Sequence, residues 1–70
     1  MIQELDIVSL THDIPEENMK QGKTGTVVHC HHGGRAFEVE FTDSDGMTVA
    51  VLTLTDVDVK FRERPTRHVG

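Results

Sequence analysis

Apolar residues recur at every second position along most of the chain, and the three-to-four residue spacing of an amphipathic helix is almost absent. Leu5 to Leu10 predicts a first strand, rich in aliphatic and β-branched residues. The stretch THDIPEENMKQGKTG, residues 11–25, is crowded with turn formers. Pro15 bars a central strand there, and Gly22 and Gly25 suit turns or a bulge. Ile14 and Met19 are its large apolar residues and are expected to pin this arm to the body.

Thr26 to Phe41 reads as a hairpin hinged on Gly33-Gly34, which supply the positive φ of a two-residue turn. That hinge pairs His32 with Arg35, Cys30 with Phe37, Val28 with Val39 and Thr26 with Phe41. One face then holds Val28, Cys30, Phe37, Val39 and Phe41, the expected core. With Asp43 to Gly46 as the next loop, Phe41 faces Thr48, Val39 faces Ala50 and Phe37 faces Leu52, and the core face continues through Leu54. A short turn near Thr55 and Asp56 leads to a last strand with Val57, Val59 and Phe61 on one side.

Five short strands, a long early arm and a tight turn before the last strand predict an all-β fold. Its expected form is a small five-stranded SH3-like barrel with a long first loop and a short basic C-terminal tail. Closure would spare so small a sheet long unpaired edges. The barrel domain is expected over residues 1–61, with 62–70 as a flexible polar tail.

Several of these segments together resemble a bacterial family of short SH3-like proteins, domain-of-unknown-function family 4926. They are Glu4-Leu5-Asp6, Asp13-Ile14-Pro15-Glu16, Gly25-Thr26-Val27-Val28, Ala36-Phe37-Glu38-Val39-Glu40-Phe41 and Leu52-Thr53-Leu54. The resemblance covers roughly residues 3–59 and departs from the family at His29 to His32 and after Phe61. More distantly, the layout is similar to SH3-like accessory subunits of redox and photosynthetic complexes and to the nitrile hydratase β subunit. These relatives imply docking onto another protein, and they bring no catalytic residues to this chain.

Size adds a constraint. A domain of 70 residues buries only about 60% of the surface that its unfolded chain exposes, so it leans on whatever staples it has. Cys30 is the single cysteine, which rules out a disulfide within the chain and points to a reduced, cytoplasmic setting. The longest apolar run is Val49 to Leu52, too short to span a membrane. Charge is uneven: residues 1–59 carry three basic and eleven acidic side chains, a net −8, and residues 60–70 carry a net +3. An acidic body repels phosphate backbones, so nucleic acid is not the expected partner, and only the basic tail, Lys60 to Arg67, offers it a route.

The histidine-rich VVHCHHGG, residues 27–34, is the most conspicuous candidate chemistry. In the register above His29 and His31 share the outer face, with Glu38 across from His29. A His-x-His strand with a facing carboxylate is an acceptable ligand set for zinc, nickel or copper, so His29, His31 and Glu38 form the candidate metal site. No cofactor is expected beyond adventitious zinc or nickel. Cys30 points the opposite way from His29 and His31, which therefore cannot activate it. Glu38 and Glu40 lie on a flat face, without the pocket that splits the pKa values of an acid–base pair. No catalytic residue is assigned and no enzyme is expected.

Peptide grooves and single-stranded nucleic-acid platforms are lined with exposed aromatics, and this chain has no Trp and no Tyr. The outer face itself is more informative: Val27, His29, His31, Glu38, Glu40, Val49 and Val51 form the candidate partner-binding surface. The expected function is a small acidic protein-binding module that docks a protein with a basic surface. An accessory subunit is one form of it. Another is an antitoxin or immunity-type protein, presenting carboxylates where phosphates would bind. The exposed valines are also compatible with a homodimer.

Overall fold

The alternating pattern is realised as five antiparallel strands: β1 (Ile7–Leu10), β2 (Thr24–His31), β3 (Ala36–Thr42), β4 (Thr48–Thr55) and β5 (Val59–Glu63). The structure is a computed structural model that describes residues 1–31 and 33–66. The strands form one sheet in the order β4-β3-β2-β1-β5. The fold is all-β, and a single 3-10 turn, Pro15–Glu17, is the helical element among the described residues. β4 and β5 stand at the two ends of the ladder without pairing to each other, so the closure expected of a barrel is not made by backbone hydrogen bonds.

The core gathers Val8, Leu10, Met19, Val27, Phe37, Val39, Phe41, Leu54 and Val59. Met19 does pin the first loop to the body: it is buried, it bridges to Ile14, and Ile14 packs against the core cluster. Cys30 lies opposite Phe37 and packs partly buried against the cluster, as expected of a thiol used as a small hydrophobe.

Register departs from expectation at one point with wide consequences. Close to the turn the expected pairs hold: His31 faces Ala36, Cys30 faces Phe37 and His29 faces Glu38. The expected pairing of His32 with Arg35 lies outside the described residues. Beyond His29 the ladder slips at a β-bulge, so Val39 faces Val27 and Glu40 faces Thr26. A bulge places two residues against one and reverses the alternation beyond it. Val27 is accordingly buried at 0% exposure and Val28 is 41% exposed, the opposite of the expected arrangement. Val27 is a core residue and leaves the candidate outer face.

Between β3 and β4 the register is displaced by two residues, with Phe41 facing Ala50, Val39 facing Leu52 and Phe37 facing Leu54. An even displacement keeps every side chain on its expected face. One position comes from the turn, which extends to Met47 so that Thr42 faces Thr48, and the other from an irregularity between Phe41 and Thr42. Asp43 Oδ1 accepts from the N–H groups of Asp45 and Met47, and Gly46 takes a φ of 81°. Two end strands are also corrected. β1 starts at Ile7, because Leu5 adopts a left-handed φ of 74° and donates its N–H to the Val27 carbonyl. Val57 belongs to the turn and is exposed, and Phe61 is only half covered, so Val59 is the buried residue of β5.

Two contacts fasten the chain ends and loops. Asp6 is fully buried, and its carboxylate accepts from the Gln3 N–H and, in a two-pronged pair, from Arg64 Nε (2.8 Å) and Nη2 (2.9 Å). Arg64 also donates to the Met1 carbonyl and lies 5.4 Å from the centre of the Phe61 ring. β5 thus runs on past the expected domain end at Phe61, and Arg64 engages the body. Thr11 and His12 tie the first loop to the last turn: Thr11 Oγ1 donates to the Val57 carbonyl, and His12 Nε2 lies 2.8 Å from Asp58 Oδ1. Hydrogen bonding to Asp58 holds the His12 pKa above its usual value.

Two outcomes follow from this frame. A Cβ at Gly25 would stand 2.8 Å from Val39 Cγ1 and 2.9 Å from the Glu40 carbonyl oxygen, and backbone cannot swing aside. Gly25→Ala therefore destabilises by about 1–3 kcal/mol in urea unfolding, the usual cost of overpacking, and an unchanged midpoint would refute the close approach. The Arg64 hydrogen bonds hold the Asp6 carboxyl below its ordinary range. A lowered folded pKa gives stability that is present above the unfolded value of about 3.8 and is lost as pH falls through the folded one. Arg64→Ala leaves the buried carboxylate without its cation, so its Tm at neutral pH falls and the acid side of its Tm–pH curve flattens or reverses. An Arg64→Ala curve parallel to that of the wild type would show that the pair does not control this titration.

Candidate protein-binding face

Alternation in β2, β3 and β4 sends His29, His31, Glu38, Glu40 and Val51 to the side of the sheet away from the core. Val49 and Val51 are 54% and 51% exposed. Of the residues expected on this face, all but Val27 are partly or largely exposed.

The carboxylates are held in place. Glu38 faces Thr53 on β4, and Thr53 Oγ1 donates to Glu38 Oε2 at 2.7 Å. Thr48 Oγ1 donates to Glu40 Oε2 in the same way. Each glutamate of β3 is thus pinned by a threonine of β4, so the two negative charges keep fixed positions. Thr48 and Thr53 were absent from the sequence-based site. The signal for them was available, since a hydroxyl on the strand next to an outward glutamate is a natural cross-strand partner.

The histidines are arranged differently from the expected three-ligand set of His29, His31 and Glu38. His29 faces Glu38 along the backbone, yet the Glu38 side chain leans diagonally to His31, whose Nε2 lies 2.7 Å from Oε2. His29 turns toward Glu4, with Nδ1 at 4.0 Å from its carboxylate. The two imidazoles meet edge to face, with ring centres 4.6 Å apart. Hydrogen bonds from Thr53 first, and from His31 second, pull the Glu38 carboxyl below its ordinary pKa. His29, His31 and Glu38 are neighbours, but among the described residues no group of three or more His, Cys, Asp or Glu side chains is placed to hold a metal ion. To become ligands together, His29 would have to leave Glu4 and Glu38 would have to give up hydrogen bonds it already accepts.

Cys30, on the opposite side, has its thiol pushed up in pKa by burial, which keeps it protonated at neutral pH. Two shallow hollows flank the first residues. One of about 560 Å³ is lined by Met1, Phe37, Phe61 and Arg64, and one of about 640 Å³ by Ile2, Glu4, Cys30 and Gly34. Both lie away from the His31–Glu38 pair. No helix among the described residues is long and apolar enough to cross a membrane.

Comparison with known proteins gives one match. Residues 4–60 fit the model of a family described as a domain of unknown function, DUF4926. The matched span contains β1 to β4 and the start of β5, and both glutamates of the outer face, but it stops short of Arg64. Comparisons with curated proteins and with solved structures gave no match.

If Thr53 is the main anchor of Glu38, Thr53→Val raises the Glu38 carboxyl pKa toward its ordinary value. Side-chain carboxyl NMR titration reads this directly, and an unmoved titration would mean that the hydroxyl does not hold the carboxylate.

Proposed function

The chain belongs to the DUF4926 family, and from that footing we propose that it is a small non-catalytic protein-binding module whose docking face is the outer side of β2, β3 and β4. The observation that carries this reading is the pair of glutamates, Glu38 and Glu40, each fixed by a β4 threonine and set beside the exposed Val49 and Val51. Pre-positioned charge lowers the ordering cost of binding, and an apolar centre beside it supplies the desolvated area. A body of net −8 over residues 1–59 steers toward a partner with a basic surface. An accessory docking subunit fits this description. So does an antitoxin or immunity-type protein that occupies a nucleic-acid site with carboxylates in place of phosphates.

The same reading takes the fold as SH3-like. The order β4-β3-β2-β1-β5, the long first loop and the tight turn before β5 support it, and the open ladder between β4 and β5 makes the barrel a partly open one. A cytoplasmic location accords with the lone, protonated thiol.

A second reading, metal binding by His29, His31 and Glu38, draws on the closeness of the two imidazoles and the 2.7 Å approach of His31 to Glu38. Calorimetry with zinc and nickel distinguishes it: tight binding abolished by His29→Ala supports a metal site, and binding that survives that change does not. Nucleic-acid binding by the basic tail is the weakest reading, because Arg64 already neutralises Asp6.

Co-expression with the product of the neighbouring gene, followed by calorimetry, tests the main proposal. The Glu38→Lys/Glu40→Lys double variant, with its fold verified by Tm, is expected to weaken the complex about tenfold or more and to remove its salt dependence. Equal affinity for wild type and double variant would overturn the assignment of this face.

A further inference from the structure

The two edges of the sheet are protected very differently. β5, on one edge, carries Lys60, Arg62 and Glu63, charges that discourage strand addition. β4, on the other, is eight residues long and reads TVAVLTLT, with no charge, no proline and no glycine. Long, uncharged, β-branched edges are templates for another strand.

Part of that edge is closed from within. The Thr55 N–H donates to Asp58 Oδ2 at 2.8 Å, and the Thr55 carbonyl accepts from the Asp58 N–H at 3.0 Å. Both groups of Thr55 therefore point away from β3. The β3–β4 register runs without interruption from Ala36 and Thr55 to Phe41 and Ala50. In an antiparallel ladder, backbone groups of alternate residues point to the same side. The N–H and C=O groups of Thr53 and Val51 thus face the open edge, and no described residue bonds to them. Asp58 caps the end of the edge and leaves its middle open.

We propose that this open edge pairs with the same edge of a second copy of the chain, antiparallel about a twofold axis at Leu52. In that register Val51 faces Thr53 of the second copy, and each such pair exchanges N–H···O bonds in both directions. Every open group is used. Shifting the axis to Val51 would instead require Val49, which sits at the irregularity where the ladder passes from Phe41 to Thr42. Shifting it toward Thr55 would require groups that Asp58 already holds.

Charge favours a second copy over other occupants. An acidic strand would meet the −8 body, and a basic strand would find no carboxylate on β4 to pair with, since Glu38 and Glu40 are set one strand back. Neutral β4 matches itself. Glu40 of one copy would then stand about 14 Å from Glu38 of the other, three strand spacings, beyond the screening length of about 8 Å at physiological salt. Joining the edges also covers the backbone that most invites uncontrolled aggregation.

Sedimentation equilibrium of the full chain from micromolar to millimolar concentration tests this. The wild type is expected to shift from 7.8 kDa to twice that mass as concentration rises. The Val51→Lys/Thr53→Lys variant is expected to remain monomeric, because lysines would face lysines across the axis. So is Val51→Glu/Thr53→Glu, and an equimolar mixture of the two restores the dimer. The mixture also controls for folding, since misfolded variants cannot rescue each other. A wild type that stays at monomer mass at millimolar concentration overturns the proposal. So does a lysine variant that still dimerises, or a mixture of two folded variants that does not.

Discussion

One strand, β2, has to serve two neighbours and change its alternation on the way. β2 pairs with β1 through Thr24 to Thr26 and with β3 from Thr26 to His31, and the bulge at Val28 lies just beyond the part that pairs with both. A continuous, unbulged β2 would keep its side chains in one alternation and carry Val27 out to solvent. With the bulge, Val27 joins Val39 and Phe41 in the core, while His29 and His31 stay outside beside Glu38. Gly25, a little earlier in β2, is required because β3 comes too close there for any side chain. The inward and outward sets of the sheet both follow from this one bulge of the backbone.

That constraint also explains which parts of the structure were legible in the sequence. Strand number, the Gly33-Gly34 reversal and the pairing nearest it follow from period-two alternation and turn chemistry. The bulge does not, because two adjacent valines look identical to any pattern of polar and apolar residues. The β3–β4 displacement was invisible too, yet it cost nothing in sidedness because it was even. On the candidate face, Glu38, Glu40, His29, His31, Val49 and Val51 were legible and Val27 was not. Asp6 had left a trace: it alternates in phase with Val8 and Leu10, which marks it as inward-facing. A buried carboxylate demands a cation, but nothing local names Arg64, far along the chain.

Polar pinning recurs wherever this small domain has little core to spend. Asp43 organises the β3–β4 turn, Asp58 gathers Thr55 and His12, and threonines fix the outer glutamates. Hydrogen bonds from the Thr55 backbone first, and from His12 second, hold the Asp58 carboxyl below its ordinary pKa. His12 and Asp58 thus contribute in opposite directions at the two ends of the pH scale. The His12 contribution fades as pH rises above about 6.5, and that of Asp58 fades as pH falls below about 3.8. Stability drawn from such contacts is greatest between those limits.

Finally, the latch between Asp6 and Arg64 joins residues 58 positions apart. β1 precedes the other four strands along the chain, yet its second neighbour, β5, and the counter-charge of Asp6 come last of all. A chain that stopped before β5 would hold a dehydrated carboxylate with no cation and leave β1 unpaired along one side.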